Sequence, residues 1–165
     1  MSDRELFYGF TLQSVDDKGR VAIPADLRVV LDRNTPVQDL PVRTVLVGRD
    51  AALNCLLCYD VTWARQLNDD FNHLRRLAAE QGRAFDEKAE RRANRVEIAN
   101  YDPSGRFVLP AFERQRAGIG KWAFFAGDGD RFQIWAPETL LAADIDDPDL
   151  QDRCRFYMAQ KKVTL

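Results

Sequence analysis

A stretch of thirteen residues occurs twice in this chain. Residues 16–28 read Asp-Asp-Lys-Gly-Arg-Val-Ala-Ile-Pro-Ala-Asp-Leu-Arg, and residues 102–114 read Asp-Pro-Ser-Gly-Arg-Phe-Val-Leu-Pro-Ala-Phe-Glu-Arg, an offset of 86. Six positions are identical without a gap: Asp16/Asp102, Gly19/Gly105, Arg20/Arg106, Pro24/Pro110, Ala25/Ala111 and Arg28/Arg114. Self-similarity at a fixed offset signals a duplicated structural unit. The identities fall on residues with a backbone role. An Asp at the start of a turn accepts hydrogen bonds from the backbone two residues on. A Gly three positions later supplies the positive φ of a tight hairpin or bulge. Three apolar residues then form a short strand, and the Pro ends it and suits the first turn of a helix. These turn residues are Asp16, Gly19 and Pro24 in the first copy, and Asp102, Gly105 and Pro110 in the second.

The flanking sequence repeats as well. Residues 44–47 and 122–126 are apolar and strand-like, and each leads to a Gly/Asp turn, Gly48-Arg49-Asp50 and Gly127-Asp128-Gly129-Asp130. Second strands are expected at 53–59 and 131–135, and helix starts at Asp60 and Pro137. Short helices are expected at 25–31 and 111–117. Between the units, Trp63, Leu67, Phe71, Leu74 and Leu77 recur at three- or four-residue spacing, one apolar stripe of a helix over 60–81. Two readings of that stripe stand: packing on the subunit's own sheet, or a contact between subunits. A charged stretch, 83–95, joins this helix to the second copy, and 147–160 has helical composition before a tail expected to be mobile. The domain reading is 6–59 for the first unit, 60–95 for the connecting helix and linker, 96–142 for the second unit, and 143–165 for a C-terminal helix and tail.

Composition narrows the function. The net charge of -2 gives no global attraction to DNA, so nucleic-acid binding requires a local basic patch. No apolar run reaches the ~20 residues that span a bilayer, and the polar start, Met1-Ser2-Asp3-Arg4-Glu5, lacks a signal-peptide pattern. A cytoplasmic protein is expected. Three cysteines, an odd number, argue against a disulfide framework. Cys55 and Cys58 have C-x-x-C spacing, yet on a strand residues three apart point to opposite faces. They read as packing residues, and His73 as a solvated helix residue. No nucleophile–base pair, phosphate-binding glycine loop or metal cluster is apparent, so no catalytic residue, metal, cofactor or small-molecule substrate is expected.

The motif Asp-x-Lys-Gly-Arg, three apolar residues, Pro-Ala, then Leu-Arg resembles the loop and helix of the AbrB-type swapped-hairpin fold. Two tandem copies joined by a helix, with Phe7-Tyr8-Gly9 ahead of the first, resemble the MraZ family. The resemblance covers about residues 6–141. It implies an α+β chain: two AbrB-like β-hairpin units forming a pseudo-two-fold β-barrel, with connecting and C-terminal helices. It implies a cytoplasmic, nucleoid-associated regulator of transcription that binds double-stranded DNA. The target would be short direct repeats in the promoter of the cell-division and cell-wall gene cluster, which includes its own gene. It also implies a ring-shaped homo-oligomer, octamer-like. DNA-contact roles carry onto Arg20 and Arg28, and onto Arg106 and Arg114, with Lys18 at the first hairpin tip. Some relatives have a basic residue where Gln13 stands, and the second loop has Ser104 in place of Lys18, so the first loop is the expected reader. Two other functions fit the residues: an antitoxin-like DNA-binding module, and a ring-forming scaffold that does not bind DNA. The arginines themselves have a competing structural role, pairing with Asp16, Asp17, Asp26 or Asp32.

Overall fold

The computed structural model describes residues 3–36 and 42–165; part of the first unit, 37–41, and the first two residues of the polar start lie outside them. The first unit contributes strands β1 (Phe10–Ser14) and β2 (Arg20–Ala22), helix α1 (Ala25–Asn34), and strands β3 (Thr44–Arg49) and β4 (Leu56–Tyr59). Helices α2 (Val61–Glu80) and α3 (Glu87–Ala93) follow. The second unit repeats the order with β5 (Glu97–Asn100), β6 (Arg106–Val108), α4 (Ala111–Arg116), β7 (Trp122–Asp128) and β8 (Arg131–Trp135). Helices α5 (Pro137–Ala142) and α6 (Pro148–Gln160) end the chain.

The two units are interlocked. Six strands form one antiparallel sheet in the order β1-β7-β8-β4-β3-β5, and β2 and β6 form a separate two-stranded ribbon. Every equivalent strand crosses to the other unit or meets its own counterpart. Strand β1 pairs with β7 while its counterpart β5 pairs with β3. Strand β2 pairs with its counterpart β6, and β4 with β8. This is the pseudo-two-fold pairing within one chain that the family resemblance implies. The pairing does not run into a closed barrel: among the described residues β1 and β5 remain edges of an open sheet.

Side-chain alternation along the strands sorts the core into two layers. Phe125 and Ile134 face one cluster, with Val21, Ile23, Leu27, Phe107 and Leu109, so the ribbon and the two short helices cover that face. Their neighbours Phe124 and Trp135 face the other, with Leu12 and Leu140. There α6 supplies Leu150, Cys154 and Met158, one apolar stripe at four-residue spacing. Cys55 and Cys58 lie in different clusters, Cys55 just ahead of β4 and Cys58 within it. All three cysteines are buried free thiols whose pKa values burial pushes up. His73 is exposed on α2.

Several local expectations are corrected. The Gly48-Arg49-Asp50 turn is not one: Gly48 and Arg49 extend β3. The Asp50 carboxylate instead accepts from the Ala52 and Leu53 amides at 2.8 Å, which curls 51–55 and delays the strand to Leu56. Residues 83–95 contain α3, because Asp86 caps the Ala89 amide at 3.0 Å. At the C-terminus, where a mobile tail was expected, the Val163 amide bonds the Met158 carbonyl and its side chain packs on the second cluster. The α2 stripe is half-buried at Trp63, Leu67 and Phe71, and Leu74 is exposed.

One buried polar network ties distant segments together. Arg4 (5% exposed) pairs with Asp60 (1% exposed) at 2.7 Å and also reaches Asp130 at 2.9 Å. Asn34, at the end of α1, donates to the same Asp60 carboxylate at 2.9 Å, and Asp60 caps α2 at the Trp63 amide. Removing one partner of a buried pair leaves the other charge uncompensated, at a cost of about 3–5 kcal/mol. Asp60→Ala should therefore lower unfolding free energy by about that amount in urea denaturation. A loss within about 1 kcal/mol, typical of exposed pairs, would show that Arg4 finds other partners.

Candidate nucleic-acid interface

The site is built from the two turns and the ribbon between them. In the first turn the Gly19 amide donates to the Asp16 carbonyl at 3.0 Å, and the Asp16 carboxylate accepts from the Lys18 and Arg20 amides at 2.9 Å each. The second turn is the same object: Gly105 donates to the Asp102 carbonyl at 2.8 Å, and Asp102 accepts from the Ser104 and Arg106 amides at 2.9 Å each. Gly19 and Gly105 have φ of 81° and 89°, a region that side chains with a Cβ rarely adopt. The repeated Asp-x-x-Gly is thus a backbone requirement, met twice.

Strand register then aims the arginines. Arg20 stands opposite Val108, Val21 opposite Phe107, and Ala22 opposite Arg106. Val21 and Phe107 are buried in the core, so the alternate positions Arg20, Ala22, Arg106 and Val108 share the outward face. Both arginines are exposed. Each is buttressed by its own turn: Arg20 Nε donates to Asp16 at 2.6 Å, and Arg106 Nε to Asp102 at 3.3 Å. Exposed pairs of this kind contribute little stability. They do fix direction, because an Nε contact leaves both terminal guanidinium nitrogens outside the pair. The structural role anticipated for Arg20 is therefore present, and it is compatible with a second one.

The helix arginines are placed by the interlock rather than by sequence neighbourhood. Ile23 donates to the Gly105 carbonyl at 2.8 Å, and Leu109 to the Gly19 carbonyl at 2.9 Å, so each strand runs into the other unit's turn. A Cβ on Gly105 would lie 3.2 Å from the Arg28 side chain, and one on Gly19 would lie 3.1 Å from that of Arg114. Arg28 therefore sits against the second turn, and Arg114 against the first, with Lys18 and Arg20. Pro24 and Pro110 stand at the N-caps of α1 and α4 and set both helices in place. The two helix arginines differ. Arg114 donates to the carbonyls of Ile119 and Gly120 at 3.1 and 3.3 Å, holding the end of its own helix. Arg28 makes no ion pair with the aspartates weighed for it among the described residues. Gln13 turns its amide to the Ala22 carbonyl at 2.8 Å. Sequence reading missed which turn each helix arginine sits against, and the outward Val108 and Ala22, all of which depend on register.

Two interlocked hairpin units that hold arginines on a solvent-facing ribbon have the equipment of a transcriptional regulator. Among the described residues no three His, Cys, Asp or Glu side chains group as a metal site, and no helix is long and apolar enough to cross a membrane. No family model matches the chain. Over 137 residues it is 37% identical to transcriptional regulator MraZ of a Ruegeria species (strain TM1040), covering 81% of this chain and 78% of that protein. It is 33% identical over 140 residues to the MraZ of Rhodospirillum rubrum, covering 83% of each. With the MraZ of Stenotrophomonas maltophilia (strain R551-3) identity is 31% over 153 residues, 89% of this chain and 95% of the relative. The chain belongs to the MraZ family of transcriptional regulators.

The turn chemistry makes a prediction. The Ser104 hydroxyl, the Arg106 amide and the Ser104 amide hold the Asp102 carboxyl down to about 2, against an ordinary 3.8. Its ionised form is favoured in the folded turn, so its contribution is present above pH 3.8 and is lost as pH falls through about 2. In an NMR titration the Asp102 carboxyl should show its midpoint near 2, and Ser104→Ala should move that midpoint upward. An unchanged midpoint in Ser104→Ala would remove the hydroxyl as the main cause.

Proposed function

We propose that this protein binds double-stranded DNA through the β2–β6 ribbon, reading sequence with Arg20 and Arg106 and positioning itself with Lys18, Arg28 and Arg114. The observation that carries this is the register, with two arginines diagonal on the outward face of a two-stranded ribbon. A two-stranded ribbon fits the major groove, where arginine is the usual bidentate partner of guanine. Lysine at a turn more often meets phosphate, which orients the protein without reading bases. The first turn is the stronger reader, since it gathers Lys18, Arg20 and Arg114, while the second offers Arg106 and Arg28 beside Ser104.

The family resemblance supplies the rest of the reading. The DNA targets are short direct repeats in the promoter of the cell-division and cell-wall cluster, the protein's own gene included. The units are AbrB-like, and the protein acts in the cytoplasm on the nucleoid as a ring-shaped homo-oligomer, octamer-like. Assembly is supported by the open β5 edge and by Ile98, a large apolar side chain exposed on that strand. It also answers the net charge of -2: several identical ribbons on one ring engage several DNA repeats, and linked sites gain ~10²–10⁴ in avidity.

The test is binding of the purified protein to the DNA upstream of its own gene by fluorescence anisotropy, at two salt concentrations. Arg20→Ala should weaken specific binding by roughly tenfold or more, the ~1–3 kcal/mol of one bidentate base contact. Arg28→Ala should reduce the salt dependence, as loss of a phosphate contact does. Arg114→Ala should reduce the salt dependence as well and also lower stability, because its guanidinium holds the end of α4. Binding no tighter than to random DNA would move the function to a ring-forming scaffold.

A further inference from the structure

The outward face of the ribbon carries an apolar side chain beside each arginine. Strand register sets Val108 opposite Arg20, and Ala22 opposite Arg106. At the ribbon's two ends Leu109 donates to the Gly19 carbonyl and Ile23 to the Gly105 carbonyl. Hydrogen-bonded and non-hydrogen-bonded pairs alternate along an antiparallel ladder. Both outward pairs are therefore of the non-hydrogen-bonded kind, whose side chains stand closest, with Cα atoms about 4.5 Å apart. Val108 and Arg20 project side by side.

Val108 is 53% exposed, while its strand neighbours Phe107 and Leu109 are 3% and 1% exposed. The core does not require a valine there. The equivalent residue of the first copy is Ala22, and β2 is as long as β6 with alanine in that place. Ala22 is also half-buried, and its carbonyl accepts from the Gln13 amide. The two arginines thus have different companions, two γ-methyls beside Arg20 and a lone β-carbon beside Arg106. Val108 also borders the hollow whose polar lining is Lys18, Arg114, Glu97, Asn100 and Gln115. It therefore stands with the cations of the first turn.

These positions restrict what Val108 can meet in a major groove. Guanine, cytosine and adenine present hydrogen-bond donors and acceptors there, and thymine alone adds an apolar group, its C5-methyl. Against a polar base edge the valine would displace water without replacing its hydrogen bond, which is unfavourable. Against the methyl it removes apolar surface from water on both sides. Successive bases are about 3.4 Å apart along the duplex, so a residue about 4.5 Å from Arg20 meets a base within about two pairs of the one that Arg20 meets.

We propose that Val108 is a specificity-determining residue that reads the C5-methyl of a thymine beside the guanine assigned to Arg20. Ala22, half-buried and two methyls smaller, leaves the Arg106 half of the ribbon without this contact. The assignment rests on the reading of the ribbon as the DNA-binding face.

The test uses the full-length protein and the duplex from upstream of its own gene. Each thymine of the bound repeat is replaced in turn by deoxyuridine, which keeps base pairing and removes only the C5-methyl. Arg20's guanine is located as the one whose replacement weakens the wild type but not Arg20→Ala. By fluorescence anisotropy, uracil at a thymine within about two base pairs of that guanine should weaken wild-type binding about fourfold, as for one buried methyl-sized group. Val108→Ala should bind the thymine and uracil duplexes alike. It should keep the wild-type salt dependence, because no phosphate contact is lost, and the wild-type circular dichroism, because alanine already occupies the equivalent place in β2. Two results overturn the proposal and leave the ribbon as the DNA-binding face: no uracil effect in a duplex whose specific binding Arg20→Ala abolishes, or a uracil effect that Val108→Ala leaves unchanged. A Val108→Ala protein that changes oligomeric size without altering the uracil response also overturns it, and assigns Val108 to a contact between copies. Wild-type protein that binds this duplex no tighter than random DNA overturns both readings together.

Discussion

A strand paired on one side only leaves half of its backbone groups without partners, and each hairpin unit of this chain is made of such strands. Exchange between the units gives β3, β4, β7 and β8 a partner on each side, and β1, β2, β5 and β6 one partner each among the described residues. Strand β1 leaves its own unit to pair with β7, β5 leaves its own to pair with β3, and β2 and β6 meet each other. Neither unit has a complete sheet without the other, so the two copies form one hydrophobic core. The other features follow from that exchange: the ribbon exists because, among the described residues, β2 and β6 pair only with each other, and its inward residues, Val21 and Phe107, anchor it on the sheet. What remains outward is the face that carries Arg20 and Arg106.

Exchange also makes the proposed interface composite. Each turn is buttressed locally, Asp16 on Arg20 and Asp102 on Arg106, but the helix arginine beside each turn comes from the other copy. Duplication therefore gives two related sites of different content rather than two equal ones. The first holds a lysine and two arginines, one of them tied to carbonyls. The second holds two arginines and a serine. Divergence between copies goes further at α4, where the polarity of two neighbouring residues is reversed and one Glu113 carboxylate oxygen is buried without a hydrogen-bond partner.

Much of the fold was legible because its signals are local. The Asp-x-x-Gly spacing states a turn whichever partner the strands find. The composition of 147–160 states a helix, and α6 spans Pro148–Gln160. The misread segments share a cause: a side chain redirected the backbone. Asp50 binds the amides of residues 52 and 53 and shortens β4, and Asp86 caps a helix inside a charged run that has no apolar stripe. The described residues do not close a barrel: among them β1 and β5 each have one strand partner.

The sequence by itself determined that the chain has two equivalent hairpin units, where their turns lie, which residues the turns require, and which arginines flank them. Those are properties of short segments, set by backbone sterics and by the reach of one side chain. The tertiary structure alone decided that Arg28 belongs with the second turn and Arg114 with the first, that Arg20 and Arg106 share a face, and that Glu113 is buried without a partner. Strand register and the crossing of units decide these, and they depend on which distant segment completes each backbone's hydrogen bonds.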